Sequence, residues 1–565
     1  MDYKLKSIEI IKLFKPIIPN YAWQRIKKLK WVKHFIESGS NVSNLFDFKT
    51  SRYHCEIPPL KVKPNLDFLV LELPPRYMPL MPNGLGYLYN ILQKCDLSFQ
   101  ILDVNISLYH MYHEHRLRNK LSNIYTPSGY LLPDDPWDNT STALWSKEEI
   151  ISYFWPEILK LTDKIAANPP KTLGISLNGF NRNLAKKFVK EIRRRLPDVV
   201  IIVGGYDCVH YNLGPSLFSD FDYMVIGEAE LTLPPLMKSL REGNRPKDLP
   251  GIVSRFDSSD RQWTTLLLEN LDDIEWPKYQ WIKVNWYQTY DRHHLIPITG
   301  GRGCLWSRCK FCSERFYFRK RDPAKIVDEI EYFTKSGYHS FHFNESDVNG
   351  DQQNLYNICN EILRRKLEVK LAGQLRIDRR NTPEYFIHMA KAGFTHLRFG
   401  VDGWNDRLLI LMNKGYNMDL VFQNLRDCHN AGIVTTVNVV IGVPGETESD
   451  VDECINNFIK CKDFIHAVES FNTLLLACGS EYYTNPDQYK IKFRWNKEEI
   501  YDRFADYIPT ELWYSEDPYI DQEIRLSRLN RILSTLYLNG VQIGPFATKV
   551  IERLKNRESE SNFKP

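Results

Sequence analysis

No stretch of this sequence approaches the ~20 consecutive apolar residues that cross a bilayer. The N-terminus, MDYKLKSIEI, has no small-residue cleavage site of the kind that ends a secretory leader. A dominant charge is missing as well: 74 Lys and Arg stand against 70 Asp and Glu, a net +4. That balance is too mild for a nucleic-acid footprint. Cysteine is sparse, 11 in 565 residues, which excludes a small disulfide-built domain and makes a reducing cytoplasm the expected setting. No repeat of solenoid length is visible. What the chain does hold is aromatic side chains, 31 Tyr, 29 Phe and 13 Trp. These suit filled cores and an enclosed ligand pocket. The length allows two to four domains.

Residues 1–63 read as a basic, helical N-terminal extension, with Lys27, Lys28, Lys30 and Lys33 close together. Its plain reading is a solvated helix face; its sharper one is a docking surface for an acidic partner. Residues 64–245 alternate apolar runs with amphipathic segments: LDFLVLELPP, NGLGYLYNILQ, SFQILDVN, TLGISL, NLAKKFVKEIRRRL, VVIIVGG and FDYMVIGE. Buried runs separated by amphipathic helices predict a doubly wound, Rossmann-like parallel sheet. An insertion around 106–170, rich in Tyr, Trp and Pro, is a candidate cover for a ligand. Its HMYHEH run places His110, His113 and His115 on alternating helix faces, where a solvated or packed role is favoured over ligation. Residues 246–295 form a linker without clear period. Residues 296–500 carry six strand-like runs with helices between them, which predicts a partial (β/α)6 barrel working at its strand C-termini. Residues 501–565 read as a helical C-terminal region ending in a disordered tail.

The chemistry concentrates at one strand end. LIPITGG runs into RGCLWSRCKFCSERFYF, which places Cys304, Cys309 and Cys312 within nine residues. Three thiolates at this spacing can hold one metal centre. A closed zinc site needs a fourth ligand, and the next candidates, His339 and His342, lie on a different strand. Three ligands would leave one iron of a 4Fe–4S cluster open. Structural thiols, or zinc completed at a distance, are the plain alternatives.

With this loop on the page, the chain resembles the radical S-adenosylmethionine (SAM) superfamily over roughly residues 290–500. It departs from the usual spacing in having four residues, not three, between Cys304 and Cys309. The resemblance implies that the three cysteines bind the cluster and that Phe311 sits near the adenine. It implies that Asn344, Glu345 and Ser346 of HFNESD take the SAM amino group, although only the acid matches the family's common form. A helix N-cap by Ser346 or Asp347 is the alternative there. RFGVDGWNDRLLILMNKGYN is similar to the ribose and methionine segment, with Asp402 as acceptor. Arg376 would face the SAM carboxylate. In VVIGVPGETESD, Gly442 and Gly445 would let backbone approach the base, with Glu446 as a helix cap.

The first sheet resembles the cobalamin-binding domain found upstream of many radical SAM domains. Ser176, Asn178, Gly204, Gly205, Gly227 and Glu228 would then contact the corrinoid or its tail at the strand ends. The loop after strand one lacks the His that ligates cobalt in many relatives. The expectation is a 4Fe–4S, SAM and cobalamin enzyme that methylates an unactivated carbon of a peptide or natural-product intermediate. One SAM would methylate the cobalamin and a second would yield the radical that opens the substrate C–H bond. The alternatives are a rearrangement, ring contraction or cyclisation on the same domains, or a non-catalytic, metal-stabilised binding module. The resemblance also implies an external electron donor such as flavodoxin or ferredoxin. No nucleic-acid partner is expected, and the sequence names no catalytic residue beyond these ligands.

Overall fold

A computed structural model describes residues 56–543 except 122, 139–141, 209–219, 259–260, 262, 291–293 and 504–506. Most of the expected N-terminal extension and the whole expected C-terminal tail lie outside the described residues.

The first sheet has the order β2-β1-β3-β4-β5-β6. Its strands are β1 (Phe68–Glu72), β2 (Phe99–Asp103), β3 (Thr172–Ser176), β4 (Val200–Gly204), β5 (Tyr223–Val225) and β6 (Ile252–Ser254). The first five are parallel, and β6 runs antiparallel to β5. Alternation along β1 shows why the sheet is covered on both sides. Phe68 and Val70 join Leu85 of α1 (Asn83–Gln93) and Leu236 of a later crossover helix, Ala229–Arg241, in one apolar cluster. Leu69 and Leu71 face the other way, into a cluster with Ile158 and Phe188. β6 falls inside the stretch expected to be a linker. Three residues between turns, two of them apolar, are too few to show a period, which is why the sequence hides it.

The 106–170 insertion builds core. It supplies most of α2 (Val104–Arg118) and α3 (Glu148–Ala167), and buries Trp137, Trp145 and Phe154 against each other. His110 and His113 are fully buried. His110 meets the Trp286 carbonyl, and His113 stacks on Tyr290 with Asp135 3.3 Å away. Both rings are packed, one of the two roles their alternating spacing left open. The helix after β3 is α4 (Arg182–Arg195), and Ala229–Arg241 is α5.

The second sheet is six parallel strands in the order β14-β13-β12-β11-β10-β7. These are β7 (Ile296–Ile298), β10 (Ser340–Phe343), β11 (Lys370–Leu375), β12 (Phe394–Asp402), β13 (Val434–Ile441) and β14 (Ala467–Thr473). A short antiparallel pair, β8 (Gly301–Arg302) with β9 (Arg319–Lys320), stands between the first two. The crossovers are α6 (Pro323–Lys335), α7 (Gln352–Arg365), α8 (Pro383–Lys391), α9 (Asp406–Leu411), α10 (Met418–Asn430) and α11 (Glu448–Cys461). Leu397, Phe399 and Val437 point into the apolar layer. The opposite face is polar: His396 bonds Thr436, which bonds Glu469.

Beyond β14 the chain is only partly helical. β15 (Leu476–Ala477) pairs with β17 (Tyr507–Ile508), and β16 (Ile491–Phe493), β18 (Trp513–Glu516) and β19 (Tyr519–Ile520) form a small antiparallel sheet. Gln522–Leu538 is the one long helix among the described residues of this region. No described helix is long and apolar enough to cross a membrane.

Candidate active site

The cysteine loop is pinned at its base by β8 and β9. The Cys304 N–H donates to the Phe316 carbonyl at 3.2 Å. Gly303 turns the chain at φ +85°, where a Cβ would lie 2.3 Å from the Tyr317 oxygen, so only glycine fits. Cys304, Cys309 and Cys312 are free and half-buried. The N–H groups of Ser307 and Glu314 point at Cys304 Sγ and Cys312 Sγ, each at 3.4 Å. Burial pushes the Cys312 thiol up to about 12 and raises Cys304 too, so thiolates here need bound metal to form. His339, at the far end of β10, bonds the Glu368 carbonyl. His342 lies beside Arg398 and His396. Neither completes a zinc site, and among the described residues no three His, Cys, Asp or Glu side chains surround a single ion. Three sulfurs on one loop, with amides aimed at two of them, fit a cluster that keeps one iron open.

Other barrel strand ends converge nearby. Asn344, Glu345 and Ser346 follow β10. The Glu345 carboxyl accepts the Gly300 N–H at 3.2 Å, and burial raises it to about 8. Asp347, not Ser346, organises the turn, accepting from Arg376 N and Asn349 N. Helix α7 is capped later, by Asp351. Asp402 ends β12 at φ +63°. Its carboxylate takes Lys414 Nζ at 2.6 Å and Asn438 Nδ2 at 2.8 Å. Burial works against the Lys414 charge, but Asp402 outweighs it and holds the amine's pKa high. Lys414 Nζ also sits 5.6 Å from the centre of the Phe311 ring, so the expected adenine and ribose candidates share one wall.

Arg376 bonds the Lys414 carbonyl and stacks over Trp306 at 4.3 Å. Trp306 Nε1 in turn donates to the Asn413 carbonyl at 2.8 Å. The cysteine loop is thereby laced to 413–416. Lys414, Asn438 and Trp306 escaped the sequence reading; the one available signal was a lysine set between Asn413 and Gly415, residue types that favour a turn, and in the structure both take positive φ. Gly442 has a packing reason: its Cβ would lie 2.3 Å from Arg525 Cγ. Glu446 is not the cap. It is buried, takes the Gly442 N–H at 2.9 Å and pairs with Arg528, while Thr447 and Asp450 form the capping box of α11.

The strand ends of the two sheets face each other across a cleft of about 320 Å³. Tyr206, Gly227 and Glu228 line it from one side, and Asn344, Glu345 and Ser346 from the other. Asn83 Oδ1, at the start of α1, lines it as a buried acceptor without a partner, and Gly84 leaves open space beside it. A polar ligand of modest size, or one part of a larger one, fits this lining. Several of the expected corrinoid contacts also serve the chain itself. Gly205 takes φ +111°, and its Cβ would lie 2.5 Å from the Leu177 oxygen; a Cβ on Gly227 would lie 2.5 Å from the Leu266 oxygen. Asn178 Nδ2 bonds the Pro75 carbonyl, and the Ser176 hydroxyl bonds Glu72. Glu228 is held by Arg302 and Arg319. Gly204 alone has ordinary room, with Val225 Cβ at 3.5 Å.

Residues 298–458 match the family model of the Radical SAM superfamily. This part of the chain is a radical SAM domain. A curated relative, the anaerobic magnesium-protoporphyrin IX monomethyl ester cyclase of Synechocystis sp., is 22% identical over 350 residues, 60% of this chain and 65% of that one. The tryptophan 2-C-methyltransferase of Streptomyces laurentii is 26% identical over 198 residues, 32% of each. The chain spans about half to two thirds of the length of the cyclase relatives it matches. Among solved structures, the methyltransferase TsrM from Kitasatospora setae, with tryptophan and a SAM analogue bound, superposes with TM-score 0.60 at 17% identity, covering 85% of this chain and 90% of that one. OxsB, with aqua-cobalamin and SAM bound, gives 0.61 at 13% identity, covering 88% and 71%. At these identities the likeness is one of fold, and it extends over both sheets.

Proposed function

We propose that the chain is a cobalamin-dependent radical SAM methyltransferase acting on an unactivated carbon of a peptide or natural-product intermediate. One observation carries this: the strand ends of a doubly wound sheet and of a radical SAM barrel open into the same cleft. When bound, the cluster supplies the electron that cleaves SAM, and cobalamin supplies a methyl carrier. Cys304, Cys309 and Cys312 hold the cluster. Glu345, with Asn344 and Ser346, takes the SAM ammonium in a charge-assisted contact. Asp402, oriented by Lys414 and Asn438, accepts from the ribose hydroxyls, and Phe311 covers the adenine. Arg376 clamps the cysteine loop against 413–416 and keeps water from this wall. Gly204, Gly205 and Gly227 present backbone to the corrinoid, and an external flavodoxin- or ferredoxin-type protein delivers the electron. Cyclisation on the same two sites is the second reading, favoured by the likeness to the cyclase.

The test is anaerobic reconstitution with iron, sulfide, cobalamin and SAM. Bound cobalt, together with both S-adenosylhomocysteine and 5′-deoxyadenosine, is the expected result. Protein that binds cobalt and makes 5′-deoxyadenosine but no S-adenosylhomocysteine would promote the second reading.

A further inference from the structure

Four charged side chains meet where the two sheets join. Glu228 follows Gly227 after β5, and Glu230 lies in the first turn of α5. Arg302 belongs to β8 and Arg319 is its partner in β9. Arg302 reaches both acids, Glu228 at 3.1 Å and Glu230 at 2.7 Å. Arg319 Nη1 takes the other Glu228 oxygen at 2.8 Å and donates to the Leu268 carbonyl at 2.6 Å. The Leu268 N–H closes the ring onto Glu228 at 2.5 Å. Side-chain exposure runs from 5% for Arg319 to 20% for Arg302, so this is an inner joint. Two positive and two negative groups cancel.

Such a set is no stronger than well-packed apolar side chains. Its distinguishing property is direction, because a guanidinium fork fixes its carboxylates in angle as well as distance. Both arginines stand on the hairpin that carries the cysteine loop, and Arg302 is two residues before Cys304. Both acids stand at a strand end of the first sheet. We infer that the Glu228–Glu230–Arg302–Arg319 quartet is a positioning device, setting the separation between the corrinoid-facing strand ends and the cluster loop. This rests on the reading above, in which two cofactor sites share the cleft. Its consequence is selective. Cleavage of SAM to 5′-deoxyadenosine needs only the barrel, whereas loss of the SAM methyl group requires the two sites to be in register.

The experiment uses the full chain reconstituted with cluster and cobalamin, with SAM as the probe. Glu230→Gln keeps the shape and removes one charge; Arg302→Met and the double variant complete a cycle. Pulsed EPR between the reduced cluster and cobalt(II) reads the spacing. S-adenosylhomocysteine and 5′-deoxyadenosine are quantified side by side. Glu230→Gln is expected to broaden the metal–metal distance and slow S-adenosylhomocysteine formation by roughly tenfold, with 5′-deoxyadenosine and iron content unchanged. The double variant is expected to be no worse than Arg302→Met. Unchanged spacing in Glu230→Gln, or both products falling by the same factor, overturns the inference. Wild-type protein that binds no cobalt overturns the methyl-transfer reading itself, and the positioning role with it.

Discussion

The two six-stranded sheets use their C-terminal strand ends in opposite ways. Those of the barrel carry charged side chains that converge: Glu345 after β10, Arg376 after β11, Asp402 at the end of β12 with Lys414 against it. Those of the first sheet mostly carry small residues pressed against their own chain, as Gly205 is against Leu177 and Gly227 against Leu266. A side chain at a strand end announces a chemistry. A glycine announces only that a Cβ would not fit, and the obstacle is as often the protein as its ligand.

The comparison breaks most sharply at the cysteines. Replacing Cys304, Cys309 or Cys312 by Ala should abolish the cluster's absorbance and with it all SAM cleavage. Cobalt bound by the first sheet should survive, since these residues belong to the other one. A variant that still produces 5′-deoxyadenosine would refute the cluster assignment.

Next in size is Lys414→Met. The Lys414 and Asp402 side chains are 6% and 9% exposed and lie 2.6 Å apart. Removing the cation leaves a buried carboxylate without its counter-charge and with the Asn438 amide as its remaining side-chain partner, a loss of about 3–5 kcal/mol. Chemical denaturation should show it, and Asp402→Asn with Lys414→Met should recover part of the loss. A Lys414→Met protein as stable as wild type would mean that water reaches Asp402 and that this wall is not closed.

A smaller effect separates two adjacent glycines. Gly205→Ala forces a side chain onto φ +111° and against the Leu177 oxygen, costing about 1–3 kcal/mol. Gly204→Ala meets only ordinary contact and should change stability by less than about 0.5 kcal/mol. If cobalt binding falls in Gly204→Ala while stability holds, the strand end approaches a ligand there. Equal destabilisation in both would show that β4 is packed alike along its end.

Legibility follows the same division. The cysteine loop is readable because thiolate ligands must be near each other in sequence to share one cluster, and no packing role demands that spacing. Parallel strands are readable from apolar runs, and both sheets emerge that way. Lys414 is not, because it earns its place through Asp402, 12 residues away in sequence. Asn438 is further still, on β13. The Glu228–Arg302–Arg319 joint spans about 90 positions; Glu228 reads as a corrinoid contact, and neither arginine stands out in the sequence. Glu446 looked like a cap because it precedes a helix; Arg528, 82 residues on, draws it inward instead. Residues 507–520 defeat the helical reading of 501–565 because strands of two to four residues leave no period to detect.

The finest test uses a carboxyl at one strand end of each sheet, buried in Glu72 and half-buried in Glu345. Glu72 ends β1 and Glu345 follows β10; burial raises both from 4.5 to about 8. The folded pKa lies above the unfolded one, so each contribution to stability is complete below about pH 4.5. Between 4.5 and 8 the unfolded carboxyl ionises while the folded one keeps its proton. Stability therefore falls with rising pH, by up to about 1.4 kcal/mol per unit for each group, and levels off above 8. Glu72→Gln and Glu345→Gln should each flatten urea-denaturation midpoints across pH 5–8 by a similar amount. Their effects on SAM should differ. Glu345 lines the cleft, and an ammonium beside it favours its ionised form, so its replacement should weaken SAM binding at pH 8 roughly ten- to hundredfold, the worth of one charge-assisted hydrogen bond. Glu72 is only 5% exposed and is engaged with Ser176 and Arg76, so its replacement should leave SAM affinity unchanged. Equal losses of SAM affinity would place the ammonium contact elsewhere and remove the distinction between the two strand ends.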